Sequence, residues 1–140
     1  MTARSATPTG CYVATLDAQG ELAVAVSAMR IVDELLPATL EPHAPRIAAV
    51  RLAVADCNLP VETLRWLKSL TRRLVVEPVS VAKCTKLTEI GLDGLLAITP
   101  NRLQAEALCG FSIRSPDDAM KAAQALEARG VRHAAIALGS

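Results

Sequence analysis

From residue 47 to the end of the chain, short aliphatic runs alternate four times with segments of helical pattern. The first run lies within residues 47–55 and ends at Asp56, and the next three are residues 74–76, 95–98 and 134–138. Uninterrupted aliphatic runs are typical of parallel strands buried on both faces. Strands that alternate with helices favour right-handed β-α-β crossovers. The pattern therefore predicts an α/β fold, with helices on both faces of a parallel sheet.

Capping residues mark the predicted helices. Pro60 suits the first turn of a helix after the first run, and a short helix is predicted over residues 81–89. Residues 101–109 form the next predicted helix, which Gly110 closes because glycine readily adopts the left-handed cap. The last helix is predicted to begin at the N-cap residue Ser115.

The N-terminal part of the chain has a different pattern. Residues 11–16 and 21–26 are strand-like runs, and the four residues between them contain the Asp and Gly of a hairpin turn. Three prolines interrupt the helical pattern of residues 31–49, which predicts two short helices or irregular turns. We divide the chain into residues 1–30, a tail with the hairpin, and residues 31–140, the α/β part.

Composition excludes several classes of function. A net charge of +1 and only three aromatic residues argue against nucleic acid as a partner. The sequence has no apolar run of the roughly 18 residues that cross a membrane. Its four scattered cysteines are expected to be reduced thiols of a cytoplasmic protein, and neither histidine has a second ligand at metal spacing. These residues are Cys11, Cys57, Cys84, Cys109, His43 and His133.

Polar residues follow all four aliphatic runs. Ligands of parallel α/β sheets gather beyond the carboxyl ends of the strands, so these positions are the candidate binding edge. The same residue types also suit turns and helix caps, and each one taken singly is more often structural. The positions are residues 56–58, 77–80, 99–101 and 139–140.

Four of these places carry strings that resemble the ribokinase-like carbohydrate kinases. Residues 100–110, P-N-R-L-Q-A-E-A-L-C-G, resemble the family's P-N-x-x-E-x-E-x-L-x-G segment. E-P-V-S at residues 77–80 resembles the D-P-V-S turn, and A-D-C-N at residues 55–58 resembles the strand-end D-x-N. Residues 134–140 resemble the V-V-T-L-G strand, and residues 9–22 resemble the lid. Within the family, A-D-C-N, P-V-S-V-A-K-C and P-N-R-L are most similar to the pseudouridine kinase branch.

The resemblance implies a three-layer, Rossmann-like domain of which this chain is the incomplete central portion, with the hairpin as a lid. It implies transfer of the γ-phosphoryl group of ATP, with Mg²⁺, to a sugar hydroxyl, in that branch the 5′-hydroxyl of pseudouridine. It implies that the ATP and magnesium side is formed by Asn101, Gln104, Glu106, Gly139 and Ser140. The substrate side would be formed by Tyr12, Asp56, Asn58 and Lys83, with Lys86 a weaker candidate.

The chain departs from the family pattern in ways that bear on catalysis. Gln104 stands where the family has Glu, and an amide brings no negative charge to a magnesium ion. Asn101 and Gln104 are therefore expected to hold the metal through water. The glycine pair of the family's first strands and its G-A-G-D helix start, which supplies the anion hole and the base, have no counterpart. The G-L-D-G string at residues 91–94 precedes a strand, and we interpret it as a turn. We expect no catalytic residue in this chain, which alone should be inactive.

Two other functions stay open. The chain could belong to a kinase for ribose, adenosine or another sugar or nucleoside. It could also be a non-catalytic binding or assembly module, as the absent base and Gln104 suggest. In either case, the hairpin and an unpaired sheet edge favour a homo-oligomer.

Overall fold

The structure is a computed structural model that describes residues 5–20 and 22–139. Its strands are β1 Cys11–Leu16, β2 Leu22–Ala28, β3 Ala53–Asp56, β4 Leu74–Glu77, β5 Ala97–Ile98 and β6 His133–Ala134. Its α-helices are α1 Pro37–Leu40, α2 Ala44–Ala49, α3 Val61–Leu70, α4 Val81–Ile90, α5 Arg102–Cys109 and α6 Pro116–Ala128. Short 3₁₀ helices span Arg30–Glu34 and Glu41–His43.

The α/β part is a four-stranded parallel sheet in the order β3-β4-β5-β6, and β1 and β2 form a separate antiparallel hairpin. The predicted fold class is therefore confirmed. The register is continuous, since Val54 pairs with Val75, which in turn pairs with Ala97. The first hairpin strand matches its predicted bounds, while the predicted start of the second strand, Glu21, lies outside the described residues.

The sequence predicts helices on both faces of the sheet, whereas the described helices cover one. The strands lie in chain order, and successive right-handed crossovers that advance in one direction all cross the same face. The helices touch in the same order, α3 with α4, α4 with α5 and α5 with α6. The described residues thus supply two layers of the predicted three-layer domain.

Burial along the strands agrees with this arrangement. Leu74 and Val76 of β4 are fully buried, together with Ile98 of β5, and all three belong to the main core cluster. Val54 of β3 points to the opposite face and is 71% exposed. A parallel sheet normally has both faces covered, so this second face is a surface that another part of a larger fold can cover.

The helix caps follow the sequence closely. Asn101, predicted as the first residue of α5, is its N-cap, and Gly110 closes that helix as predicted, with a left-handed φ of 79°. Ser115 is the N-cap of α6, where its side chain accepts a hydrogen bond from the Asp118 N–H. Pro60 is the N-cap of α3 rather than its first helical residue. These capping residues determine where the helices between the strands begin and end.

The aliphatic runs are longer than the strands that they form. Residues 47–49 belong to α2, which has a proline in its first turn. β5 and β6 have two residues each, although pairing continues irregularly as Ala137 N–H donates to Pro100 O over 3.0 Å. Proline has no N–H to return such a bond, which interrupts the ladder at Pro100.

The hairpin stands apart from the core. Every residue of β1 is exposed, and the apolar side chains on both of its faces lack a covering layer. The exposed large apolar residues of the hairpin are Tyr12, Val13, Leu16, Val24 and Val26.

No helix among the described residues is long and apolar enough to cross a membrane.

The uneven cover of the sheet predicts unequal costs for two similar substitutions. Val76→Ala removes methyl groups from the fully buried face and is expected to lower the free energy of unfolding by about 2 kcal/mol. Val54→Ala, at a site 71% exposed, should cost less than about 0.5 kcal/mol. Urea denaturation of both variants at low protein concentration measures the difference. Equal costs would contradict a sheet covered on one face.

Candidate functional site

The candidate site lies beyond the carboxyl ends of the strands, where two acidic residues end adjacent strands. Asp56 and Glu77 are register partners at the ends of β3 and β4. Asp56 Oδ1 accepts the Asn58 N–H over 2.9 Å, and its Oδ2 accepts the side-chain amide of Asn58 over 3.0 Å. Glu77 Oε2 accepts the Val79 N–H over 2.8 Å. Each carboxylate therefore shapes the loop that follows its own strand.

The loop after β4 contains a strained residue. Val79 has a φ of 68°, and it is the only non-glycine residue with a positive φ in residues 5–20 and 22–139. A β-branched side chain in this region costs roughly 1–3 kcal/mol and persists only where the surroundings impose it. Here the buried Pro78 and the bond from Val79 N–H to Glu77 impose it. Such strain is frequent at ligand-binding sites.

Two lysines of α4 reach across to the loop after β3. Lys83 Nζ donates to Asn58 Oδ1, and Lys86 Nζ donates to Leu59 O over 2.8 Å. Ser80, the N-cap of α4, accepts the Lys83 N–H over 3.2 Å. Cations close to a helix N-terminus are disfavoured by the helix dipole. The ammonium groups of Lys83 and Lys86 therefore add positive charge near the N-terminus of α4, where the helix dipole is already positive.

A cavity of about 350 Å³ lies between these lysines and the segment that follows the hairpin. It brings together Asn58 and Lys83, which the sequence predicts as substrate-side residues, with Lys86. Sequence reasoning missed Arg30 and Asp33, because proline-broken segments carry no periodic signal that would place them. The full lining is Ser27, Met29, Arg30, Val32, Asp33, Asn58, Lys83 and Lys86.

Two other residues near this edge, Tyr12 and Cys57, do not line the cavity. Tyr12, predicted on the substrate side, is 61% exposed on the hairpin and is not part of the cavity lining. Cys57 lies between Asp56 and Asn58 and is fully buried. Burial raises the pKa of the Cys57 thiol to about 12, which keeps it protonated. Cys57 therefore acts as a core residue and not as a nucleophile.

On the other half of the edge, Asn101 and Gln104 bond to each other's backbone. Gln104 N–H donates to Asn101 Oδ1 over 3.0 Å, and Asn101 N–H donates to Gln104 Oε1 over 2.8 Å. This is a capping box, which a Gln forms as well as a Glu. Gln104 is only 2% exposed. The replacement of the family's Glu thus preserves the helix start while it removes a negative charge.

The last predicted phosphate-side residues follow β6. Asn101 forms an isolated parallel bridge with Ala137, which brings the chain end beside the start of α5. Gly139 has a φ of 80°, and a Cβ atom built on it would meet nothing within 4 Å. The backbone there is open to a ligand. Ser140 lies outside the described residues.

The Glu106 side chain forms a hydrogen bond with the loop that follows α5. Its Oε1 accepts the Ile113 N–H over 2.8 Å, which ties the α5–α6 connection to α5. Ile113 is buried in the second core cluster. The sequence leaves Glu106 open between a metal-side role and a solvated helix position. The bond to Ile113 gives it a structural task that spacing alone does not reveal.

The G-L-D-G segment lies at the opposite end of the sheet. Lys68, near the end of α3, donates to Ile90 O over 2.7 Å and pairs with Asp93 at 3.1 Å. This hydrogen bond with Lys68 lowers the pKa of Asp93. A cation that binds the last carbonyls of a helix stabilises the helix end. The segment closes α4, as expected for a turn.

Known proteins resemble this chain over nearly its whole length. No known family profile matches it. It is 32% identical over 133 residues to the pseudouridine kinase of Escherichia coli, an alignment covering 94% of this chain and 42% of that protein. It is 27% identical over 126 residues to an uncharacterized sugar kinase of the same organism, covering 89% of this chain and 34% of that protein.

Solved structures give the same result. A carbohydrate kinase from Agrobacterium tumefaciens matches with a TM-score of 0.77 and 25% identity, over 98% of this chain and 44% of that one. The chain thus spans less than half the length of the proteins that it matches. Sequence and fold agree, and the chain belongs to the ribokinase-like carbohydrate kinase family, of whose domain it forms a part.

Proposed function

We propose that this chain is the central segment of an ATP-dependent kinase that phosphorylates a sugar hydroxyl. The first candidate acceptor is the 5′-hydroxyl of pseudouridine. The observation that carries the proposal is the meeting of the family strings at one sheet edge, in a chain 32% identical to a pseudouridine kinase. The 27% identity to a sugar kinase supports the nearest alternative, a different sugar or nucleoside.

In this proposal, the two halves of the edge bind different ligands. Asp56, Asn58 and Lys83 serve the acceptor, because Asn58 and Lys83 line the cavity next to the segment that follows the hairpin and Asp56 holds Asn58. Tyr12 would reach the acceptor only through closure of the hairpin over it. Asn101 and Gly139 serve the nucleotide, since the open backbone at Gly139 leaves room for a phosphate-bearing ligand. ATP is the proposed phosphoryl donor.

Magnesium fits the described residues less well than ATP does. The Gln104 amide carries no charge and its Oε1 accepts the Asn101 N–H, while the Glu106 carboxylate accepts the Ile113 N–H. Magnesium prefers carboxylate and phosphate oxygens and retains several of its waters. The side chains of Asn101, Gln104 and Glu106 can therefore contact the metal only through water molecules. Gln104 and Asn101 keep that role as a proposal, and Glu106 is the weakest member of the set.

A second candidate function is a non-catalytic binding or assembly module. The uncharged Gln104 at the predicted metal position favours it, as does the exposed second face of the sheet at Val54. Phosphoryl transfer is the property that separates the two candidates. A cytoplasmic location remains part of the proposal.

The kinase proposal predicts that the 140-residue polypeptide alone forms no pseudouridine 5′-phosphate from ATP. Without a positioned base and anion hole, the developing charge is poorly stabilised, which costs several orders of magnitude in rate. A chimera in which this chain replaces the matching stretch of the E. coli kinase should regain transfer. Product is measured by chromatography with pseudouridine, uridine, adenosine and ribose as acceptors.

Each outcome of this assay has a definite meaning. Turnover of ribose but not pseudouridine would contradict the pseudouridine assignment and favour a neighbouring kinase. A folded chimera inactive on every acceptor would favour the non-catalytic module. Activity of the 140-residue polypeptide alone would contradict the expectation that the base lies elsewhere.

The proposal also includes self-association. The exposed face of β3 at Val54 and the apolar hairpin residues are surfaces that favour contact with another chain. Sedimentation equilibrium over a wide concentration range should give a dimer or larger species. Val54→Lys and Val24→Lys test the two surfaces separately, and the variant at the interface should shift the equilibrium towards monomer by about tenfold or more. A monomer at all concentrations would contradict the proposal.

A further inference from the structure

The turn between β4 and α4 has a rare backbone conformation. The Ser80 N–H donates to Pro78 O over 2.8 Å and so closes a three-residue turn centred on Val79. With a φ of 68° at Val79, this is the classic form of the γ-turn, which is strained and rarer than the inverse form. A β-branched residue is poorly suited to its central position. The turn therefore persists only because neighbouring groups hold it.

Glu77 provides a contact that offsets the strain. Its Oε2 atom accepts the Val79 N–H over 2.8 Å, and a hydrogen bond to a carboxylate is stronger than one to a neutral acceptor. The Glu77 side chain is half-buried and is not among the residues that line the cavity beside Lys83. Glu77 therefore acts on the backbone of the turn and not on a ligand in that cavity.

The γ-turn determines where α4 begins. Ser80, which follows Val79 directly, is the N-cap of α4, and its side chain accepts the Lys83 N–H over 3.2 Å. The Ser80 carbonyl oxygen also accepts the N–H groups of Lys83 and Cys84, over 3.1 and 2.8 Å. If Val79 relaxed to a negative φ, the peptide groups on both sides of it would rotate. Ser80 and the first turn of α4, with Lys83, would then move.

The side chain of Lys83 is held separately, from β3. Asp56 accepts hydrogen bonds from the backbone and the side-chain amide of Asn58, and Asn58 Oδ1 accepts from Lys83 Nζ. Asp56 and Glu77 are register partners on adjacent strands. One carboxylate therefore holds the Lys83 side chain, and the other holds the backbone from which it extends. An ammonium group has three donors, of which Asn58 accepts one.

We propose that Glu77 is a positioning residue of the candidate site. By holding Val79 in the γ-turn, it sets the start of α4 and the place of Lys83. The ligand role of Lys83 rests on the proposed function, whereas the link from Glu77 to Lys83 does not. A lysine held in place before binding loses less conformational entropy when a ligand arrives. Glu77 thus favours acceptor binding without touching the acceptor.

Amide spectra of the 140-residue protein test the link without any ligand. Glu77→Ala removes the acceptor of the Val79 N–H and should shift the backbone amides of Ser80 and Lys83 and the side-chain amide of Asn58. Glu77→Gln retains an oxygen that can accept this bond and should leave these signals close to their original positions. Glu89→Ala is the matched control, because Glu89 is an exposed glutamate at the other end of α4, and it should change none of them.

A second substitution separates positioning from a direct contact. Glycine adopts a positive φ without steric cost, so Val79→Gly should make the γ-turn independent of Glu77. In the Val79→Gly background, Glu77→Ala should shift the Lys83 amide several times less than it does in the original chain. If Glu77 contacted Lys83 or a ligand directly, Glu77→Ala would have the same effect in both backgrounds.

The chimera with the E. coli kinase tests the consequence for binding. Glu77→Ala should raise the KM for the acceptor about tenfold, as expected for the loss of one well-placed hydrogen bond. The KM for ATP and kcat should change less than about twofold, because the loss affects the acceptor alone. Glu77→Gln should retain most of the acceptor affinity, and Val79→Gly should restore most of what Glu77→Ala removes. An equal loss of kcat in the Ala and Gln variants would instead assign the carboxylate a catalytic or metal-binding role and overturn the proposal.

The outcomes distinguish this inference from the proposed function. Unchanged Lys83 and Asn58 signals in Glu77→Ala would overturn it, whatever the chimera does. Shifts that Val79→Gly suppresses, together with a chimera inactive on every acceptor, would support the positioning link and contradict the kinase proposal. If Glu77→Ala alone fails to fold, recovery of the thermal transition in the double variant with Val79→Gly would support the link. Failure to recover it would overturn the link.

Discussion

The structure depends on the burial of one face of a short parallel sheet beneath a single layer of helices. Leu74, Val76 and Ile98 are fully buried in that interface, and they pack with Leu64 of α3 and Leu87 of α4. Burial of each large aliphatic side chain contributes about 1.5–3 kcal/mol. Because the strands are parallel, this packing also brings every following loop to one edge. The core and the candidate site are consequences of the same arrangement.

At that edge, local hydrogen bonds position the polar side chains of the candidate site. Asp56 shapes the loop that presents Asn58, and Asn58 holds Lys83 from the next crossover. Glu77 holds Val79 in a left-handed conformation that starts α4 at Ser80. Neighbouring crossovers are therefore coupled by side chains as well as by the sheet. A change in one loop is expected to move ligand groups contributed by the other.

Local signals in the sequence were sufficient for most elements. Gly110 and Ser115 predict the end of α5 and the start of α6 correctly, because a cap depends on a few neighbouring residues. The aliphatic runs located the strands but not their lengths. Pro100 lacks the N–H that would continue the ladder, and residues 47–49 follow a helix-starting proline.

The candidate site was less predictable, since it depends on contacts between distant segments. Asn58 and Lys83 were identified from strand ends and family strings, yet their mutual bond joins residues 25 positions apart. Arg30 and Asp33 line the same cavity only because the segment that follows the hairpin lies beside this edge. The bond between Glu106 and Ile113 likewise follows from a loop path that no periodicity encodes.

In the proposed function, the carboxyl edge of the sheet, and not another charged surface, binds the nucleotide. The strongest competitor is the basic cluster of Arg65, Lys68 and Arg72 at the opposite end. Titration of the labelled protein with a non-hydrolysable ATP analogue and magnesium decides between them. If the nucleotide binds at the carboxyl edge, the largest amide shifts are expected at Asn101 and Gly139. Shifts confined to Lys68, Arg72 and Asp93 would contradict it.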